Sequence, residues 1–288
     1  MKKIGFIGLG AMGSKIAQRL ITAGGFNLTV FNRTPEKANE LVVLGAVLAA
    51  SPKVLAENSD VIMISVSDDV AVRAVVLGEA GAFVGACQGA VFIDCSTISV
   101  AATREFAAQA EKMGFAWLDA PVLGSPQMAI DGEMPFVVGG SEQVLEANKE
   151  ILEVVGKKIV YMGGVGLGQA AKLVHNLVCG ISLVAFSEAL VLGEKLGLAR
   201  KQTLEVLANG AVGSRLLTMK TPKFEEDLFE PTAAPLVNMR KDLTLATEAA
   251  RMLNLTLPET SIARQLYDKA VEQGLSRQDT SSIIKALQ

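Results

Sequence analysis

Cysteine is scarce in this chain of 288 residues: three, Cys87, Cys95 and Cys179, odd in number and without C-x-x-C spacing. That pattern excludes a disulfide framework and a thiolate metal site, and it fits a reducing compartment, the cytoplasm. An excess of positive charge is also missing. Twenty-seven Lys and Arg face 30 Asp and Glu, for a net charge of -3, which leaves no nucleic-acid footprint. Long hydrophobic runs are few. The most lipid-like, Leu177 to Phe186, is followed by Glu188, Glu194 and Lys195, and falls short of the ~20 apolar residues that span a bilayer. It reads as a helix buried in a core or between subunits, not a membrane segment. The start Met1-Lys2-Lys3 before an apolar stretch mimics a signal peptide, but the glycines that follow have a better explanation.

What is abundant is apolar residue, 50% of the chain, enough for a large core. Short apolar strands are expected at Lys3–Leu9, Leu28–Asn32, Val61–Val66, Val91–Asp94, Ala116–Asp119, Phe136–Gly139 and Lys158–Tyr161. Amphipathic segments such as Ser14–Ala23, Pro35–Leu44 and Val100–Met113 alternate with them. All-apolar strands alternating with helices indicate an α/β, doubly wound parallel sheet covered on both faces. Past Met162 a glycine-rich joint leads into helical patterns alone: one long helix over Gln169–Leu196, then Arg200–Asn209, Asn238–Met252, Pro258–Glu272 and Gln278–Leu287. The expected domains are therefore 1–162, a Rossmann-type nucleotide-binding unit, and 163–288, an all-α unit.

The first strand ends in Gly8, Gly10 and Gly13 at G-x-G-x-x-G spacing, with a helix following at once. Gly8 permits the tight turn, Gly10 lets a pyrophosphate approach the backbone, and Gly13 lets the helix pack close to the sheet; Leu9, Ala11 and Met12 complete the loop. The helix N-terminus then offers free N–H groups and a positive dipole end to phosphates. An NAD site usually carries Asp or Glu at the end of the second strand, against the ribose 2′-hydroxyl. Here Asn32 stands there, and it does not repel a 2′-phosphate. Arg33 can pair with that phosphate, Thr34 can donate a hydroxyl, and Lys37 lies one turn on. The expectation is NADP(H) in preference to NAD(H).

Ligands of open α/β sheets bind at the carboxyl ends of strands. Val66-Ser67-Asp68-Asp69 and Asp94-Cys95-Ser96-Thr97 are two such ends, where small hydroxyls can line a nicotinamide; Ser67 and Asp68 also fit a plain helix cap. Asp119-Ala120-Pro121-Val122-Leu123-Gly124-Ser125 is a third. Gly124 would let a substrate near backbone N–H groups, and Ser125 adds a hydroxyl. Carbonyl reduction needs an acid beside the carbonyl oxygen on a rigid mount. Lys172, on the first turns of the long apolar helix, suits that role, and Asn176 four residues on shares its face. The single histidine, His175, points elsewhere and reads as a packed or hydrogen-bonded helix residue.

Taken together, FIGLGAMG at the start, DCSTIS at 94–99, DAPVLGSPQMAIDGEMPFVVGG at 119–140, GGVGLGQAAKLVHN at 163–176 and KDLTLA at 241–246 make the chain resemble the β-hydroxyacid dehydrogenase family nearly end to end. The resemblance implies that Lys172 is the general acid/base and that Asn176 orients the substrate. It further implies that Thr97 and Lys241 contact the cofactor, that the Gly124 loop holds the substrate's acid group, and that Asp242 lies beside the cleft. With Ser96 and Ser125 these complete the candidate site. Asn176 without an asparagine at 175, and Asn32-Arg33-Thr34, look more like the glyoxylate/succinic semialdehyde reductase branch. The expected partner is a small carbonyl acid, and the long apolar helix suggests a homodimer or homotetramer. Two departures bear on substrate: Leu123 stands where members commonly have serine, and Ala234 where many carry an aromatic residue. Rival readings are a silent NADP-binding sensor or scaffold, against which Lys172, Asn176 and Thr97 stand together, and a reductase of a larger carbonyl or imine. An imine reductase would lack the general-acid lysine. A 6-phosphogluconate dehydrogenase fails on length and on the small helical part.

Overall fold

The structure is a computed structural model and describes residues 1–288. The chain divides into two compact units, Met1–Lys172 and Leu173–Gln288. The first contains strands β1 (Lys2–Ile7), β2 (Phe26–Phe31), β3 (Val47–Leu48), β4 (Val61–Ile64), β5 (Val91–Asp94), β6 (Ala116–Asp119), β7 (Pro135–Gly139) and β8 (Lys158–Gly163). Its helices are α1 (Gly13–Ala23), α2 (Asn39–Val43), α3 (Pro52–Glu57), α4 (Asp69–Leu77), α5 (Ala82–Gly85), α6 (Val100–Lys112), α7 (Pro126–Asp131) and α8 (Glu142–Val155). Helix α9 (Leu167–Lys195) begins in the first unit and ends in the second, which adds α10 (Arg200–Asn209), α11 (Arg215–Glu226), α12 (Leu236–Met252) and α13 (Pro258–Glu272).

The eight strands form one sheet in the order β3-β2-β1-β4-β5-β6-β7-β8. Both faces are covered because successive strand residues feed two different cores. Ile4 and Phe6 of β1 and Met63 of β4 join one; Ile7, Ile62 and Ile64 join the other. That is the two-sided burial that an all-apolar strand requires. Helix α1 lies on the sheet through Ile16, Ala17 and Leu20, all buried, with the two large side chains contributing roughly 1.5–3 kcal/mol each. The strand order reverses between β1 and β4, so the loops after these two strands open at a topological switch point.

The sheet is parallel with one exception. β7 runs antiparallel to β6, because the chain continues past Gly124 and Ser125 into the short helix α7 and returns beside its own path. Leu123 N–H donates to Pro135 O at 2.9 Å, and Val122 bridges Phe136. Other departures from the sequence expectation are local. Pro35–Leu44 is not one helix: a 3₁₀ turn over Pro35–Ala38 precedes α2. The final segment is a 3₁₀ run, Thr280–Leu287, capped by Asp279. Helix α11 escapes a periodicity reading because Pro222 interrupts it. Past β8 no strand forms, as the sequence indicates.

Helix α9 matches the long helix expected over Gln169–Leu196 to within two residues at each end. It has 29 residues and a mean hydropathy of 1.8 over an 18-residue window, long and apolar enough to cross a membrane by length and composition. A protein core asks for the same composition, and Gln169, Asn176 and Ser187 along it are buried and hydrogen-bonded to protein groups. In the second unit Leu183, Phe186 and Leu190 of α9 share a core with Leu217, Phe224, Leu243, Tyr267 and Ile284.

Candidate active site

The turn after β1 is fixed by backbone geometry. Gly8 has φ 97°, a region that side-chain-bearing residues rarely adopt, and its N–H donates to Phe31 O at 2.9 Å. A Cβ on Gly13 would strike the Gly8 carbonyl and crowd Phe6 and Ser65, whereas one on Gly10 would meet nothing within 4 Å. Gly13 thus serves packing, and Gly10 faces open space. No side chain caps α1, and its first turn holds no acidic residue, so its N–H groups and dipole end suit an anion. Of the other loop residues, Leu9 is buried, Met12 half-buried and Ala11 exposed. These features fit a dinucleotide pyrophosphate.

Asn32 is occupied with the loop itself. Its Oδ1 accepts Leu9 N–H at 3.0 Å and its Nδ2 donates to Thr34 O at 2.9 Å, so it ties the glycine turn to the end of β2. Arg33 and Thr34 are exposed. Arg33 lines a cavity of about 490 Å³ with Phe31, Pro35, Leu48 and Ala49. Lys37 lines a separate hollow with Ser14, Lys15 and Leu41. Arg33 and Lys37 are not brought to one cavity.

The next strand ends are laced together. Val66 N–H donates to Ser96 Oγ at 2.9 Å, and Ser96 N–H donates to Asp94 Oδ1 at 2.9 Å. Ser96 is buried, and its hydroxyl joins the ends of β4 and β5. Thr97 is half-buried. Ser67 donates to Asp68 Oδ2 at 2.8 Å, while Asp68 Oδ1 accepts Ala71 N–H and caps α4; the cap reading holds for Asp68. Cys95, beside them, is inert as a nucleophile: burial, and secondarily Asp94, push its thiol far up.

After β6, Val122 O accepts a hydrogen bond from Lys172 Nζ at 2.7 Å. Lys172 is half-buried on the first turns of α9. Gly124 is exposed, and a Cβ there would press the sulfurs of Met134 and Met128 at 2.7 and 3.0 Å. Ser125 precedes α7 without capping it, which leaves its hydroxyl uncommitted to the helix. In the second unit, Asn176 Nδ2 donates to Asp242 Oδ2 at 2.6 Å, and Asp242 Oδ1 lies 3.3 Å from Lys241 Nζ. Asn176 and Asp242 are buried. His175 Nδ1 lies 2.9 Å from Asn176 Oδ1, a hydrogen-bonded helix residue. Lys172 and Asn176 are one turn apart on α9.

Comparison with known proteins settles what this constellation belongs to. A family model described as the NAD binding domain of 6-phosphogluconate dehydrogenase matches residues 3–163, and one described as NAD-binding of NADP-dependent 3-hydroxyisobutyrate dehydrogenase matches residues 166–287. The chain belongs to the β-hydroxyacid dehydrogenase family. It is 36% identical to glyoxylate/succinic semialdehyde reductase 2 of Arabidopsis thaliana, over 99% of this chain and 79% of the relative. It is 36% identical to 2-hydroxy-3-oxopropionate reductase of Escherichia coli, over 99% of this chain and 97% of that one. A structure of Mycobacterium tuberculosis 3-hydroxyisobutyrate dehydrogenase with L-serine superposes with a TM-score of 0.89 at 31% identity, covering 100% of this chain and 99% of the other. As a member of the family the protein is an oxidoreductase of CH–OH groups, a reversible hydroxyacid dehydrogenase, and it binds a pyridine nucleotide.

Two residues of this β-hydroxyacid dehydrogenase were given no role by the sequence reading. The fully buried Asp119 accepts Gly166 N–H on Oδ1 and Gln169 N–H on Oδ2, each at 2.8 Å. Burial pushes its carboxyl above the ordinary range, and the N–H groups of Gly166, Gln169 and Gly168 only partly offset this. Gln169, also fully buried, donates from Nε2 to Ser96 O at 2.8 Å and accepts Ile98 N–H on Oε1 at 3.1 Å. No side-chain pattern in the sequence marked them. Gly139 and Gly168 both crowd Asp119, whose carboxylate leaves no space for a Cβ on either.

Proposed function

We propose that this protein is an NADPH-linked reductase of small aldehyde or keto acids, with Lys172 as general acid in reduction and general base in the reverse direction. The observation that carries the reading is Lys172 itself. It is a half-buried ammonium 2.7 Å from a main-chain carbonyl at a strand's carboxyl end, one helical turn from Asn176. A nicotinamide held by these residues would supply hydride chemistry at the substrate's carbonyl carbon. Lys172 hydrogen-bonds the carbonyl oxygen and gives it a proton as charge develops there, and Val122 O fixes the direction of the amine. Asn176, held by Asp242, orients the substrate, and Gly124 and Ser125 meet its carboxylate.

On the cofactor side, the loop Gly8–Gly13 would take the pyrophosphate, Val66, Ser67, Thr97 and Lys241 the nicotinamide half, and Arg33 with Thr34 the 2′-phosphate. NADP(H) over NAD(H) is supported by the absence of a carboxylate after β2 and by Arg33 on a cavity wall. The glyoxylate and succinic semialdehyde class is supported by the relative named above. The proposed division is 1–162, chiefly for the cofactor, and 163–288, chiefly for substrate and subunit contact, with Gly124 and Ser125 of the first serving the substrate and Lys241 of the second serving the cofactor. Val174, Val178 and Leu192 stand exposed on α9, in keeping with a homodimer or homotetramer in the cytoplasm.

Lys172→Ala tests the reading. Turnover of glyoxylate or succinic semialdehyde should fall roughly a hundred- to ten-thousand-fold, with NADPH binding nearly intact by fluorescence titration. Activity surviving within about tenfold would dismiss Lys172 as the acid.

A further inference from the structure

We propose that Gln169 is a positioning residue: its side-chain amide clamps the backbone on both sides of Thr97 and so holds that segment in register with the helical turn that carries Lys172. The geometry is specific. Gln169 Nε2 donates to Ser96 O at 2.8 Å and Oε1 accepts Ile98 N–H at 3.1 Å, so the two anchored residues bracket Thr97. The Gln169 main-chain N–H is held by Asp119 Oδ2 at 2.8 Å, and Gly166 N–H by Oδ1 of the same carboxylate at 2.8 Å. Lys172 follows three residues later, a neighbour along the helix surface, and is tied to Val122 O at 2.7 Å. Three chain segments, 96–98, 119–122 and 166–172, thus meet through one buried amide and one buried carboxylate. A glutamine fits at every pH, because its single planar group donates to a carbonyl and accepts from an N–H at once without titrating. Unsatisfied, those buried backbone groups would shift to find partners.

The inference rests on Lys172 as the general acid, and its test reads pH. Gln169→Glu preserves the shape. Protonated, the introduced carboxyl donates to Ser96 O and accepts from Ile98 N–H, as the amide does. Ionised, it faces Ser96 O with lone pairs only, and the clamp opens. The groups around it are Asp119 from β6, Asp94 from β5, whose Oδ1 takes Ser96 N–H, and Lys172 on the same helix. Burial beside two carboxylates favours the neutral form, so the clamp survives at low pH and fails as pH rises.

The measurement is kcat and KM for NADPH-dependent reduction by variant and wild type from about pH 5 to about pH 9. The expected variant-to-wild-type ratio of kcat falls with rising pH towards roughly a hundredfold deficit, the scale of an ångström's misplacement, while the substrate KM moves little. A ratio that stays flat with pH overturns the proposal. Should that variant not fold at neutral pH, Gln169→Ala admits water to the two backbone groups. It should lose roughly a hundredfold in kcat at all pH values, and wild-type kcat in it overturns the proposal equally. Lys172→Ala, run alongside, separates the two readings. If it keeps turnover, the general-acid assignment fails. If it loses turnover while Gln169→Glu tracks the wild type, only the clamp fails.

Discussion

Asp279→Asn should destabilise the second unit strongly at neutral pH. Lys220 Nζ lies 2.6 Å from Asp279 Oδ1, with side chains only 11% and 4% exposed. The same carboxylate accepts Thr232 Oγ1 at 2.7 Å, Ser281 N–H at 3.0 Å and Ser281 Oγ at 2.6 Å. Removing its charge leaves a buried ammonium without a counter-charge, a loss of about 3–5 kcal/mol. At about 2–4 °C per kcal/mol for a chain of this class, Tm should drop by roughly 6–20 °C. Circular dichroism is the right probe, because the single tryptophan, Trp117, lies in the other unit. Lys220→Met combined with Asp279→Asn should recover a substantial part, because an apolar replacement removes the stranded charge.

The pH dependence of that difference has a definite sign. Burial pushes the Asp279 carboxyl up, but the Lys220 ammonium and the hydrogen bonds from Lys220 and Ser281 outweigh it and hold the group below the ordinary range. A depressed folded-state value means that the stabilisation is fully present above the unfolded value, near pH 3.9, and is lost only as pH falls through the lower folded one. The gap between wild type and Asp279→Asn should therefore be the same at about pH 5 and about pH 7. A loss under about 1 kcal/mol, the worth of an exposed pair, or a gap that closes between those two pH values, refutes the reasoning.

Arg33→Ala should weaken NADPH binding more than NADH binding, measured by titrating both cofactors; equal NAD and NADP affinity in the wild type would sink the 2′-phosphate assignment. Gly10→Ala and Gly13→Ala should separate affinity from stability. Open space at Gly10 predicts a melting temperature close to wild type with weaker NADPH binding, whereas the Gly8 carbonyl in the way at Gly13 predicts a lower melting temperature as well. Thermal melts and cofactor titrations of the pair check this, and similar melting of the two variants would contradict it.

The sequence by itself determined the alternation of strands and helices, the two-sided sheet and the phosphate turn. These depend on local periodicity and on glycines whose roles are set within a few residues of chain. It also singled out Lys172 and Asn176, because a cation and an amide on an otherwise apolar helix need a reason to be there. Only the tertiary structure decided the partners. Asn32 proved to be committed to Leu9 and Thr34, and Lys37 lines a different hollow from Arg33. β7 turned antiparallel in a sheet expected to be parallel, because the chain returns through the short helix α7 beside its own path. Asp119 and Gln169 were named only as a strand end and a helix start, with no role of their own, because their partners are main-chain N–H and C=O groups, 47 to 73 residues away. Such groups are identical in every residue, so no side-chain pattern in the sequence marks them, and only the folded chain shows where they meet.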